Sequence, residues 1–292
     1  MKYYSYFPGC SSEATAAAYG LSTKAICQPL EIELIELEDW NCCGTTPYGS
    51  VDELELICVA ARNLALAEKR GLDLVTACSA CYMTLNKANS YLKEYPHLKA
   101  QVDEALAAAD LKYNGGIKVR HLLEVLINDI GCEAIEFKVK KSLNGLRVAP
   151  YYGCQLVRPK LGFDDPEFPQ SLDRLTESLG AEPVPFPLKS RCCGAAHIIP
   201  EEELSLGLIS KLLNSAQENE AQCIVTVCPL CQINLDAYQS RVNSKFKTSY
   251  KLPVLFFTQL LGIALGINPK ALALGQGIVS NKKVLQPYLT GR

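Results

Sequence analysis

The chain has 292 residues, 48% of them hydrophobic, and its 29 basic and 31 acidic residues leave a formal charge of −2. That length buries a sizeable core and suits two domains of ordinary size. The even charge balance excludes the basic surface that nucleic acid or an anionic membrane would require.

The opening, MKYYSYFPGC, has no apolar signal core and reaches a cysteine at position 10. It predicts a chain without a secretory leader, in the cytoplasm. KYYSYF reads as a strand running into Gly9-Cys10, and IELIEL as a second leading to Cys42-Cys43-Gly44. Ser50 and Glu53 have the spacing of a capping box ahead of a helix over LELICVAARNLALAEKRG, which closes at Gly71. A short strand, LDLVTA, carries the chain to Cys78 and Cys81, and a helix leaves that Cys-x2-Cys. A mostly helical insert is expected from Leu92 to Asp110, and KVRHLLEVLINDIG closes the first half. KKSLNG supplies turn residues near Ser142 to Gly145, which predicts domains at 1–144 and 145–292.

The same series then begins again. LRVAPYY runs into Gly153-Cys154, and EPVPFP leads to Cys192-Cys193-Gly194. Pro200 and a run of glutamates precede a helix in which Leu204, Leu208 and Leu212 recur at helical spacing. CIVTV then reaches Cys228 and Cys231. The stretch LPVLFFTQLLGIALGI, from Leu252, is shorter than the ~20 residues of a membrane span and carries Thr258 and Gln259, so it reads as a buried helix.

From Cys42 to Cys192 and from Cys81 to Cys231 the offset is 150 residues, whereas Cys10 and Cys154 lie 144 apart, so one loop differs by six. This is an internal duplication. Strands alternating with helices give an α/β fold class: two tandem modules, each a small, mostly parallel sheet with helices, packed face to face with the cysteine loops at the interface.

Ten of the 14 cysteines recur in register; Cys27, Cys58, Cys132 and Cys223 have no counterpart and read as packing. For the ten, a disulfide framework would need an oxidising compartment, and adjacent cysteines bridge awkwardly. Metal is the better reading. Zinc takes four ligands and a cubane 4Fe-4S cluster four thiolates, whereas each module offers five. Adjacent Cα atoms are about 3.8 Å apart, so both sulfurs of a Cys-Cys pair reach one polynuclear site. Either all five thiolates hold an iron-sulfur site that need not be a cubane, or four hold a cubane or zinc and the fifth is a reactive thiol.

Cys-x31-Cys-Cys-Gly-x33-Cys-x2-Cys in the first half and Cys-x37-Cys-Cys-Gly-x33-Cys-x2-Cys in the second resemble the cysteine-rich CCG domain. Two complete copies resemble the catalytic B subunit of heterodisulfide reductase, over nearly the whole chain. The resemblance implies one noncubane 4Fe-4S cluster on Cys10, Cys42, Cys43, Cys78 and Cys81. It implies a second on Cys154, Cys192, Cys193, Cys228 and Cys231, and reduction of a disulfide between two different thiols. It also implies two partners, a ferredoxin-like C subunit and a flavin-containing A subunit. Related proteins with this domain serve quinone-linked and organic-acid-oxidising complexes, so an electron-transfer subunit is the alternative. His197, three residues after Gly194, is the nearest candidate proton donor, with a structural histidine as the plainer role. Lys189 and Arg191 flank the second pair and are leads for an anionic substrate; His97 and His121 lie away from the cysteine motifs and receive no role.

Overall fold

The computed structural model describes residues 1–45, 47–158 and 162–289. Two four-stranded sheets are built alike. In the first, β1 (Lys2–Tyr6), β2 (Ile32–Glu36), β3 (Leu74–Thr76) and β4 (Val119–His121) lie in the order β2-β1-β3-β4. In the second, β5 (Arg147–Tyr151), β6 (Glu182–Pro183), β7 (Cys223–Thr226) and β8 (Val254–Phe256) repeat that order as β6-β5-β7-β8. Every pairing is parallel. Parallel neighbours need long crossovers, and helices supply them. In the first module these are α1 (Ala17–Cys27), α2 (Glu53–Arg70) and α3 (Ser79–Glu94), with α4 (Pro96–Ala107) as the helical insert. In the second they are α5 (Ser171–Ser178), α6 (Glu202–Glu218) and α7 (Pro229–Ala237), followed by α8 (Gln239–Phe246).

The strand order reverses between β1 and β3 and again between β5 and β7, the position where open α/β sheets bind ligands beyond their strand ends. The glycine-cysteine loops leave β1 and β5 at these points, and the Cys-x2-Cys loops leave β3 and β7. Parallel order therefore brings each cysteine set to one end of its sheet.

The two modules share a core. One apolar cluster runs from Phe7, Ile26 and Leu64 in the first to Leu172, Leu255 and Leu261 in the second. Each module places its first helix against the other: α1 packs on α9 (Phe257–Ala264), and α5 on the Cys132–Phe137 helix. Tyr19 stacks on Phe256 with centroids 4.1 Å apart, and Ser22 Oγ lies 2.7 Å from Thr258 Oγ1.

Two of three local expectations are corrected and one holds. The capping box is absent, because Pro47–Val51 forms a helical turn of its own that takes in Ser50. Asp52 caps α2 instead, its carboxylate accepting from Glu55 N at 3.0 Å. Asp52→Ala is expected to cost about 1 kcal/mol in a denaturant titration, with the slope unchanged. Second, the helix expected after Pro200 forms as α6; it buries Leu206, Ile209, Leu212 and Leu213, with Leu204 exposed and Leu208 half-buried. Third, the apolar stretch from Leu252 is buried as expected but begins as strand β8 before α9. Its counterpart in the first module, β4 with the helical residues after it, does the same.

Candidate metal centre

Each Gly-Cys corner is shaped by a sulfur. Gly9 adopts φ +76°, and a Cβ there would stand 3.2 Å from Cys81 Sγ; Gly153 adopts φ +67°, and a Cβ there would stand 3.1 Å from Cys231 Sγ. Two glycines thus leave room, in matching places, for the second cysteine of each Cys-x2-Cys. That cysteine lies in the first turn of α3 or α7, where the neighbouring thiol of Cys43 or Cys193, with burial, pushes its own thiol up.

Within the first set, Cys43 Sγ lies 3.3 Å from Cys81 Sγ, and Cys42 Sγ lies 3.8 Å from Cys10 Sγ. Within the second, Cys193 Sγ lies 3.5 Å from Cys231 Sγ, and the Cys154 and Cys192 thiols are near enough to shift each other's protonation. Across the boundary, the Cys78 and Cys228 thiols influence each other in the same way. The structure therefore gathers the ten predicted cysteines into two neighbouring sets.

These thiols hold one another in unequal protonation states. Hydrogen bonds from Cys42 and Cys81 pull Cys43 down to about 4, while the same bond to Cys43, with burial, pushes Cys42 up. Cys192 is drawn to about 6 by the Cys154 thiol, aided by the Gly194 N–H and by the charges of His197 and Arg158. Each set thus holds a thiol poised to become a thiolate, the form that ligates metal.

Among the described residues, no group of three or more His, Cys, Asp or Glu is arranged to hold a single metal ion. The fit to a metal group rests on donor chemistry and on the glycine cradles. Both suit an iron-sulfur cluster, whose ligands are cysteine thiolates.

Beneath the sulfurs is a hydrogen-bonded hub that the sequence reading missed. The carbonyls of Ala77 and Val227, one residue before Cys78 and Cys228, face each other across the module boundary. Tyr19 Oη donates to Ala77 O at 2.6 Å and lies 3.2 Å from Val227 O, to which Ser79 Oγ donates at 2.9 Å. His121 Nε2 completes the group at 2.8 Å from Ala77 O, while its Nδ1 accepts from Leu123 N at 3.1 Å. His121 is fully buried, and desolvation holds it down to about 4. It received no role from sequence because 40 residues separate it from Cys81; the strand pairing Thr76–His121 brings it there. The equivalent pairing in the second module is Thr226–Phe256, so an aromatic ring fits this place.

His121→Phe is expected to destabilise the fold by about 1–3 kcal/mol, through loss of two buried hydrogen bonds. The pH dependence carries a sign. Between the ordinary histidine value near 6.5 and about 4, the unfolded chain binds a proton that the folded chain refuses, so stability drops as the pH is lowered through that window. The variant should show a shallower fall in thermal-denaturation midpoints between pH 7 and pH 5.

Other site residues lie as follows. His197 is exposed, on the loop after Gly194 and close enough to Cys192 for its charge to act there. Lys189 is not free for a substrate: it pairs with Asp173 at 3.1 Å and sits 5.3 Å over the Tyr152 ring. Arg191 is exposed, and its carbonyl accepts from Tyr151 Oη at 2.6 Å. Of the four unmatched cysteines, Cys27 and Cys223 are buried, and Cys58 and Cys132 half-buried.

Comparison with known proteins agrees with this arrangement. The cysteine-rich domain matches twice, over residues 4–86 and 148–236. The heterodisulfide reductase B subunit of Methanosarcina acetivorans, dependent on ferredoxin or F(420)H(2), is 34% identical over 96% of this chain and 95% of its own. The chain belongs to the family of heterodisulfide reductase B subunits. A protein of Archaeoglobus profundus described as like that B subunit is 36% identical over 92% of this chain and 93% of its own. The 8-methylmenaquinol:fumarate reductase membrane anchor subunit of Wolinella succinogenes is 39% identical over 97% of this chain and 99% of its own. Among the described residues here, no helix is long and apolar enough to cross a membrane. A solved structure of a hypothetical protein from Helicobacter pylori superposes with TM-score 0.79 at 17% identity, which shows the fold alone. It covers 96% of this chain, which spans about half of that one, 52%.

Proposed function

We propose that this protein is the catalytic iron-sulfur subunit of a heterodisulfide reductase-like complex. It reduces, or reversibly forms, a disulfide between two thiols at two 4Fe-4S clusters of noncubane type. The observation that carries this reading is the pairing of two complete five-cysteine sets whose Cys-x2-Cys loops are tied together by the Tyr19 hydroxyl, bonded to Ala77 O and Val227 O just before Cys78 and Cys228. Cys10, Cys42, Cys43, Cys78 and Cys81 would hold one cluster, and Cys154, Cys192, Cys193, Cys228 and Cys231 the other. When bound, the clusters supply single electrons and iron atoms that accept sulfur.

The residues of the chain do the rest. Cutting a disulfide consumes two electrons and two protons, which matches two adjacent electron-carrying modules. His197, exposed and near enough to Cys192 for its charge to act there, would hand a proton to a leaving thiolate. The hub of Tyr19, Ser79 and His121 fixes the two Cys-x2-Cys loops relative to each other. The proposed partners are a ferredoxin-like C subunit and a flavin-containing A subunit, and the proposed domains are 1–144 and 145–292.

A second reading is supported by the Wolinella succinogenes relative, named for a methylmenaquinol:fumarate reductase. In it, the chain passes electrons between a quinol and a partner enzyme. Anaerobic iron and sulfide analysis with electron paramagnetic resonance, before and after adding a disulfide or a menaquinol analogue, separates the two. Zinc in place of iron, or spectra that ignore every disulfide and thiol, would reject the disulfide reading.

A further inference from the structure

The second module departs from the first in one connection. Helix α1 begins seven residues after Cys10, whereas α5 begins seventeen after Cys154. The first module assembles its five cysteines without the added length, so holding sulfur does not explain it. The last part of the longer connection reaches across to the first module, where Phe163 packs edge-on against Tyr82 with ring centroids 6.4 Å apart.

Phe163 also lines a cavity of about 330 Å3, a size that suits a small organic ligand. Ile127 and Asn128, in the π-helical stretch Val125–Ile130 of the first module, line one part of it. Such stretches are frequent at functional sites. From the second module come Phe163, Phe168, Ser171 and Arg174, with the carboxylates of Asp164 and Asp165. Among the described residues lining it there is no cysteine. Two ring contacts, Phe163 with Tyr82 and Tyr82 with His121 at 5.8 Å, join this place to the hub beneath the sulfurs.

The unmet groups on its walls define what would fit. Ser171 is only 5% exposed, and its hydroxyl has no hydrogen-bond partner in the protein. A buried hydroxyl without a partner costs free energy, which a ligand acceptor at this wall would recover. Arg174 is exposed and has no ion-pair partner among the described residues. Its charge reaches the Cys132 thiol, which burial pushes up and so keeps neutral.

The two carboxylates are engaged by backbone. Asp164 accepts from Gln170 N at 3.1 Å and Ser171 N at 2.8 Å, and Asp165 from Glu167 N at 2.8 Å and Phe168 N at 2.7 Å. That leaves a cation and a hydroxyl donor for an anion. Beside them, Phe168 is 71% exposed and offers an aromatic face to an apolar body. The same carboxylates repel a second negative charge, which favours a monoanion over phosphate.

We infer that this cavity is an accessory binding site for a small organic monocarboxylate. The carboxylate takes Arg174 and the Ser171 hydroxyl, and the apolar body lies against Phe163 and Phe168. The site is separate from the cysteine sets and does not depend on which chemistry they carry out.

The test titrates the iron-loaded holoprotein with 3-phenylpropionate by isothermal calorimetry and maps the bound state by amide hydrogen exchange. Binding should saturate and slow exchange in peptides covering 125–130 and 163–174. The neutral 3-phenylpropanamide should bind at least about tenfold more weakly, and so should the acid to Arg174→Gln, as loss of one charge-assisted contact predicts. Ser171→Ala should weaken binding by about threefold or more, yet leave the melting temperature of the free protein unchanged or higher. Arg158→Gln, which removes a cation near Cys192, should bind like the parent, and inorganic phosphate should not compete. Iron content and circular dichroism verify each variant, and octanoate serves as a second monocarboxylate. Equal affinity for acid and amide, full affinity in Arg174→Gln, competition by phosphate, or protection confined to the cysteine loops overturns the assignment. So does the absence of saturable binding by both acids.

Discussion

Replacing Cys231 with serine should remove about half of the iron and acid-labile sulfide from the purified protein, because one of two thiolate-held clusters is lost. Cys231 is buried in the first turn of α7, its sulfur 3.5 Å from Cys193 Sγ. A serine hydroxyl there is a hard, weakly acidic donor that iron-sulfur chemistry disfavours. Cys81→Ser should produce the mirror result, since Cys81 has the same surroundings in the first module. Because a bound metal group contributes its binding free energy to folding, both variants should also melt well below the parent. Cys42→Ser and Cys192→Ser should behave otherwise: these residues are exposed, so the four thiolates that remain include every buried one of the set. Iron should be retained while the spectrum moves toward that of an ordinary cubane. Iron and sulfide assays with electron paramagnetic resonance check all four. Full iron retention in both buried-cysteine variants would end the two-cluster assignment.

The sequence exposed what depends on spacing. Ten cysteines in register, eight at an offset of 150 and Cys10 and Cys154 at 144, each set interleaved with apolar segments of strand length, were enough to anticipate two parallel sheets with their cysteine loops at one end. What it hid depends on contacts between distant segments. Tyr19 bonds Val227 O from 208 residues away, and nothing in the local composition of α1 marks it. His121 lies 44 residues from Ala77 and joins the site through strand pairing alone. The misread cap has a local cause: Ser50 and Asp52 both suit the start of α2, and the choice fell to Asp52 once Pro47–Val51 had formed its own turn. The Leu204, Leu208 and Leu212 spacing located α6, but α6 is apolar on more than one face, and periodicity could not say which face the sheet would take. Lys189 looked available beside Cys192 because its partner, Asp173, lies on a helix 16 residues back.

The glycine corners give the sharpest separation between backbone strain and loss of the metal group. Gly9→Ala should fail in two ways. Its backbone, at φ 76° and ψ 150°, lies in a region essentially reserved for glycine, which costs about 1–3 kcal/mol for any other residue. Its new Cβ would also press at 3.2 Å on Cys81 Sγ, displacing a proposed ligand. Gly153→Ala should repeat this in the second module, with Cys231 Sγ at 3.1 Å. Gly71→Ala is the control. Gly71 closes α2 at φ 70° and ψ 22° with nothing within 4 Å of a Cβ, so it should cost about 1–2 kcal/mol for the left-handed conformation alone and leave iron untouched. Thermal melts paired with iron analysis therefore have a defined outcome: all three variants lose stability, and only the two beside the sulfurs lose metal. If Gly9→Ala and Gly153→Ala load iron as fully as Gly71→Ala, Cys81 and Cys231 are not held against those corners when the cluster is bound, and the proposed ligand geometry is wrong.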